Sequence, residues 1–170
     1  TAGVGGVWGV GFFLPDLLGS VMKPVFAQAP SILALPEAER VGAVTSAVQV
    51  LKSKVFFVQQ VGAFIGMFGY AALSQRIGRK PALALVIGLA FVAVQSAFWG
   101  LRDPLSAYLL AFPMGVFCLA PFAAYAVYFP ELYPTRLRAT GVGFCYNCAR
   151  ILAAGAPFAL GKLAQHFAEV

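Results

Sequence analysis

Charged residues are scarce in this chain. Only 11% of its 170 residues are charged and 61% are hydrophobic, which gives a mean hydropathy of +0.84. A soluble domain carries about 25% charged residues, so too few polar side chains are present to cover a globule in water. The composition excludes an ordinary soluble domain and predicts an integral, multi-pass protein of the cytoplasmic (plasma) membrane.

Motifs for catalysis and nucleotide binding are also missing. The sequence contains no Walker-type phosphate loop, no nucleophile–base pair and no metal-ligand set. Cys145 and Cys148 lie three residues apart, but no second pair or neighbouring histidine completes a zinc site. With Cys118 they fall inside apolar runs, which predicts buried free thiols. We expect no enzyme, no cofactor and no metal.

The net charge of +6 comes from basic residues that are scattered singly or placed beside apolar stretches. A nucleic-acid-binding protein would instead gather such residues in one patch. Charges at the ends of apolar segments are typical of contacts with anionic lipid headgroups and of topology signals. The expected partner is therefore the lipid bilayer, with no nucleic acid.

Five stretches approach the roughly 20 residues that an α-helix needs to cross a bilayer. They cover residues 2–20, 55–75, 81–101, 105–129 and 139–161. Residues 21–54 contain three prolines and are predicted to form a long extracytoplasmic connection, with a short surface helix starting near Pro36. The predicted fold class is an all-α membrane protein with five transmembrane helices.

Small residues and prolines mark two of these spans. Gly62, Gly66 and Gly69 fall on one side of the second span, a spacing that lets another helix approach closely. Pro113 and Pro121 interrupt the fourth span, where each removes a backbone hydrogen bond and favours a kink. We expect helix contacts at the glycines and bending at the prolines.

Two polar loops resemble those of a known family. Residues 130–141 (PELYPTRLRATG) are similar to the loop between helices 10 and 11 of major facilitator superfamily transporters, in the sugar-porter-like and organic-ion-porter-like branches. Residues 71–80 (AALSQRIGRK) resemble that superfamily's Gly-x-x-x-Asp-Arg-x-Gly-Arg-Arg/Lys loop, with Ala71 in place of the first glycine and Gln75 in place of the aspartate. These departures are typical of the degenerate copy between helices 8 and 9.

The resemblance implies that the five spans correspond to helices 7–11 of a twelve-helix fold. It also implies that both motif loops are cytoplasmic, and that this chain is part of the C-terminal half of a transporter. On that basis we expect a fragment of a longer protein. Its N-terminal half would then be a partner outside this chain.

The charged residues of the two loops are candidates for a conformational latch. Glu131 and Arg138 can close a charge-assisted hydrogen bond across the turn that follows the fourth span. Contacts made in only one of two packing states would bias the rocking equilibrium of a transporter. The candidate residues are Glu131, Arg136, Arg138, Arg76, Gly78 and Arg79. The alternative is that these charges only set topology and bind headgroups.

Arg150 is a candidate for contact with a solute. It lies roughly 15 Å along the last span from Thr140, where a charge is costly unless it faces a polar cavity or a partner. Asn147 is on the same helical face, and Tyr146 is one turn earlier. The alternative is an ion pair with a carboxylate of the absent half.

Gln59 and Gln60 are further candidates, because their amides suit the recognition of hydroxyls or carboxylates. They would otherwise join helices by hydrogen bonds. Asp16 lies near the end of the first span, which favours a solvated interface residue over an ion site.

The predicted function is secondary active transport of a small polar or anionic solute, such as a sugar or an organic acid, by alternating access. Energy would come from an ion gradient, by symport with protons or another ion. A receptor, sensor or scaffold with the same fold is the alternative. A polytopic membrane enzyme is less favoured, because the spans offer only Asp16 and Arg150 as charged groups.

Overall fold

The structure, a computed structural model, describes the backbone of residues 2–168 and the side chains of residues 14–151, 154–155 and 161–162. Six helices make up most of this backbone. They are α1 (Ala2–Ala27), α2 (Pro30–Leu33), α3 (Glu37–Ile77), α4 (Arg79–Gly100), α5 (Pro104–Leu132) and α6 (Arg138–Ala168). No strand occurs within residues 2–168, and the prediction of an all-α protein is confirmed.

Three of the helices, α3, α4 and α5, are long and apolar enough to cross a membrane, judged on the described residues. Large apolar side chains on them are exposed, among them Phe57 (69%), Phe91 (66%) and Trp99 (80%). Water opposes such exposure, whereas lipid chains solvate it. The integral membrane assignment is confirmed. The count of five spans stays a prediction, with the other two on α1 and α6.

The region between the first two predicted spans is mostly helical, unlike the connection predicted over residues 21–54. α1 continues through Pro24 to Ala27, and α3 begins at Glu37 and runs unbroken for 41 residues. At 1.5 Å per residue α3 is about 60 Å long, roughly twice the hydrocarbon thickness. The sidedness of this region stays a prediction.

Prolines and acidic residues lie at the starts of α2 and α3, where they are compatible with a helix. Pro30 occupies the first turn of α2, and Pro36 precedes α3, whose first turn carries Glu37 and Glu39. Acidic residues at a helix N-terminus are favourable for the helix dipole. Arg40 then donates hydrogen bonds to the carbonyl oxygens of Leu35 at 3.0 Å and Leu33 at 2.9 Å, which fixes the α2–α3 corner.

The early start of α3 is explained by an apolar stripe that hydropathy alone does not reveal. Val48, Leu51 and Val55 recur at helical spacing and are buried. They form one core with residues of α1 and α5. That core comprises Leu18, Met22, Val48, Leu51, Val55, Ala107 and Ala111. A second core joins α3, α4 and α5 through Tyr70, Ala82, Val86, Ala120 and Ala124.

The chain divides into two compact units, one of residues 14–124 and one of residues 1–13 with 125–170. Within the first unit, α3 and α5 touch backbone to backbone. A Cβ on Gly66 would overlap the carbonyl of Val116, and a Cβ on Gly115 would overlap the carbonyl of Gln59. Gly62 faces the same crossing, where an added Cβ would lie 3.3 Å from the Cα of Gly115. The predicted contact face is confirmed for Gly62 and Gly66.

Gly69 does not share this contact, because nothing lies within 4 Å of a Cβ added there. α5 itself passes through Pro113 and Pro121 as one helix. The close approach of α5 to α3 is made at Gly62 and Gly66 and not at Gly69.

Replacing Gly66 with alanine is expected to lower the thermal unfolding midpoint of the intact protein in detergent. Overpacking costs about 1–3 kcal/mol, which outweighs the roughly 1 kcal/mol by which alanine is better than glycine in a helix. Gly69→Ala is the matched control, since its position is open. Equal midpoints for the two variants would contradict the backbone contact.

Candidate functional site

The turn between α3 and α4 depends on one glycine. Gly78 ends α3 and precedes α4 with φ +92° and ψ 162°. This region is accessible essentially only to glycine. The carbonyl of Gly78 accepts a hydrogen bond from the Ala82 N–H at 3.3 Å, so the same residue opens the next helix. The glycine of the loop motif over residues 71–80 is thus required by the backbone conformation.

Side chains from both helices hold this turn. Tyr70, which is buried, donates from its hydroxyl to the carbonyl oxygen of Arg79 at 3.4 Å. The Arg79 guanidinium donates to Ser74 Oγ at 3.2 Å, and Ser74 donates to the carbonyl of Ala71 at 2.9 Å. Arg79 therefore binds within its own turn. Arg76 and Gln75 are exposed.

The turn between α5 and α6 has a different construction. The ring of Tyr133 lies on the backbone of Gly141, where an added Cβ would be 2.7 Å from the ring atoms. Tyr133 Oη and Cys145 Sγ are 3.0 Å apart, in a hydrogen bond in which either group can donate. This bond raises the pKa of the Tyr133 phenol, which stays neutral at physiological pH. Tyr133 and Gly141, both in the loop motif over residues 130–141, thus form one packed corner.

The charged residues of this second turn lie outside that corner. Glu131, at the end of α5, and Arg138, at the start of α6, are both exposed, as is Arg136 between them. Arg76 and Arg79 belong to the unit of residues 14–124. The latch between these groups therefore stays a prediction.

On α6, the structure brings together part of the predicted polar stripe. The Arg150 guanidinium carbon lies 5.8 Å from the centre of the Tyr146 ring, within the range of a cation–π contact. Asn147 donates from its amide to the carbonyl of Gly143 at 2.8 Å. Arg150 and Asn147 are exposed. Their role in binding a solute stays a prediction.

Gln59 and Gln60 are both candidates from the sequence, but their side chains have different environments in the structure. Gln59 is only 7% exposed and lines a cleft between α1 and α3. Gln60, the next residue on the helix, is exposed and does not line it. The roles of Gln59 and Gln60 in a solute pathway stay predictions.

The cleft has a volume of about 300 Å³ and lies within the unit of residues 14–124. Its lining comprises Leu14, Pro15 and Leu18 of α1 with Gln49, Lys52, Ser53, Val55, Phe56 and Gln59 of α3. Lys52 was not among the candidates predicted from the sequence, and this site was missed. The available signal was the recurrence of polar residues at 49, 52, 53 and 59, which is helical spacing on one face.

No group of three or more potential metal ligands occurs among the residues that the structure describes. The Cys145 sulfur is instead engaged with Tyr133.

Long apolar helices joined by tight polar turns define the chain as a multi-pass membrane protein, and the relatives that it matches are described as transporters. The chain is 37% identical over 111 residues to a "Probable 4-methylmuconolactone transporter" of Cupriavidus pinatubonensis, covering 65% of this chain and 26% of the relative. It is 29% identical over 120 residues to the "Cis,cis-muconate transport protein" of Acinetobacter baylyi, covering 68% and 29%. The resemblance to major facilitator superfamily transporters is confirmed.

A third relative is an inner membrane metabolite transport protein of Escherichia coli, 29% identical over 118 residues, which cover 66% of this chain and 25% of the relative. The chain thus spans about a quarter of the length of these relatives. No family model and no solved structure matches it.

Replacing Gly141 with alanine is expected to displace the Tyr133 ring and expose Cys145, because the new methyl would overlap the ring. The measurement is the rate of maleimide labelling of Cys145 in a background with Cys118→Ser and Cys148→Ser. Labelling should become several-fold faster. Gly143→Ala is the matched control, since nothing lies within 4 Å of a Cβ there. Equal rates in both variants would refute the packed corner.

Proposed function

We propose that this chain forms part of a secondary active transporter that moves a small organic anion across the membrane by alternating access. The observation that carries the proposal is the pair formed by Arg150 and Tyr146 on the apolar helix α6. A guanidinium within a predicted span is costly unless it has a function or a partner. Its planar donors suit bidentate binding of a carboxylate.

The names of the relatives favour an organic acid over a sugar. Two of them are described as transporting cis,cis-muconate and 4-methylmuconolactone. Muconate is a small dicarboxylate, and 4-methylmuconolactone combines a carboxylate with a lactone ring. A cationic, aromatic stripe matches both the charge and the flat unsaturated body of such molecules.

Alternating access would use the two motif turns as fixed corners between moving helices. The Gly78 turn and the Tyr133–Gly141 corner are short and internally bonded, so they can transmit a rotation of the helices that they join. Exposed charges beside them, Glu131, Arg136 and Arg138 with Arg76, would exchange partners between the two states.

The remainder of the transporter would lie outside this chain, which covers about a quarter of its relatives' length. An N-terminal half would supply the opposite wall of the solute pathway. Coupling to protons or another ion would supply the energy, and no catalysis would be involved.

Arg150→Ala in the full-length polypeptide is expected to reduce uptake of labelled muconate into proteoliposomes. Loss of a charge-assisted hydrogen bond of about 1.5–3 kcal/mol weakens apparent affinity roughly ten- to hundredfold. Arg150→Lys keeps the charge but loses the bidentate geometry, so it should retain intermediate uptake. Reconstituted protein is quantified in each preparation.

Wild-type uptake by Arg150→Ala would refute the role of Arg150. Saturable muconate binding without uptake by the unaltered protein would favour a receptor or sensor. Uptake that collapses when a protonophore is added would support proton coupling, whereas unchanged uptake would direct attention to another ion.

A further inference from the structure

The cleft between α1 and α3 has the features of a binding site separate from the Arg150 stripe. The geometry points to a carboxylate-binding site in which the Lys52 ammonium holds the carboxylate and the Gln59 amide binds a second polar group at the ligand's other end. This inference rests on the proposed function, because it names a second place at which the transported class of solute would bind. The site lies entirely within residues 14–124.

Among the described residues that line the cleft, Lys52 is the only charged one. Its Nζ lies against α1 at Gly19, where an added Cβ would be 2.9 Å away, so the absence of a side chain there makes room for the ammonium. Lys52 is half-buried, and no carboxylate of the described residues forms an ion pair with it. A partly desolvated ammonium that forms no ion pair with a described residue favours an anionic ligand.

Gln59 is the second, independent indication of a ligand. It is more than nine-tenths buried, and its side chain forms no hydrogen bond within the described part of the chain. No fully enclosed side-chain N or O among the described residues lacks a partner, so the Gln59 amide keeps some accessible surface, and Gln59 lines the cleft.

The distance between Lys52 and Gln59 indicates the length of the ligand. Lys52 and Gln59 are seven residues apart on one face of α3, which corresponds to about 10 Å along the helix. Leu18, Val55 and Phe56 supply apolar surface in the same lining. The volume of about 300 Å³ is at the small end of ligand sites.

The site therefore suits a small, elongated carboxylate with a flat apolar body and a hydrogen-bonding group at the far end. Ser53 and Gln49 lie on the same face but are exposed, and the Ser53 hydroxyl already donates to the Gln49 carbonyl at 3.0 Å. They are not needed for the contact.

The test is equilibrium binding of two probes to the full-length polypeptide in a neutral detergent. The probes are 4-hydroxycinnamate, which carries polar groups at both ends, and cinnamate, which lacks the hydroxyl. Lys52→Gln should weaken binding of both probes by about tenfold or more, the effect of a lost charge-assisted hydrogen bond. Gln59→Leu should weaken only 4-hydroxycinnamate, by about three- to tenfold.

Matched controls are available on the same protein. Lys54→Gln removes an exposed lysine two residues away, and Gln95→Leu removes an exposed glutamine of α4; neither residue lines the cleft. Both variants should bind the probes as the unaltered protein does. Gln59→Leu should also keep its thermal unfolding midpoint, because the amide has no partner within the described residues to lose.

Three outcomes would overturn the inference. They are no binding of 4-hydroxycinnamate by the unaltered protein, equal loss in the Lys52 and Lys54 variants, or a lower midpoint in Gln59→Leu. Loss of probe binding only when anionic lipid is added would support the site and show that headgroups compete for it. If Lys52→Gln binds normally while Arg150→Ala still abolishes uptake, the cleft fails and the proposed function survives.

Discussion

The contact on which the unit of residues 14–124 depends is the backbone crossing of α3 and α5. Gly62, Gly66 and Gly115 remove the side chains that would keep two helices apart, so carbonyls and Cα atoms meet directly. In a membrane, lipid solvates apolar side chains as well as a neighbouring helix does, and close packing becomes the main attraction between helices. The crossing also fixes α3 at Gln59, whose carbonyl faces Gly115. The positions of Gln59 and, two turns earlier, Lys52 follow from it.

The two motif turns achieve rigidity by different means. At Gly78 the backbone adopts a conformation reserved for glycine, and the buried Tyr70 binds the residue that follows. At the α5–α6 corner, glycine provides space for the ring of Tyr133. Arg79 binds inward at the first of these turns, whereas Arg76 there and Arg136 and Arg138 at the α5–α6 turn are exposed.

Much of the fold was predictable because a helix that crosses the hydrocarbon of a bilayer must be long and mostly apolar, which the sequence shows directly. The ends of α4 and the starts of α5 and α6 lie within two residues of the predicted bounds. Over residues 21–54 the structure has mostly helix where the sequence predicted a connection, and the part of α3 that begins there carries only a narrow apolar stripe, Val48, Leu51 and Val55. Average hydropathy cannot detect such a stripe, although its helical spacing is present in the sequence.

The membrane class follows from the sequence alone, which has too little charge for water, apolar stretches long enough for a membrane, and two loops that resemble those of transporters. The sequence also identified Gly62 and Gly66 as contact residues and Tyr146 as the neighbour of Arg150. Only the tertiary structure distinguished Gln59 from Gln60 and brought Lys52 into a cleft with α1. The composition of a segment and the spacing of its apolar residues predict whether that segment is a helix. Burial of a side chain and formation of a cleft depend in addition on which other helix packs against it.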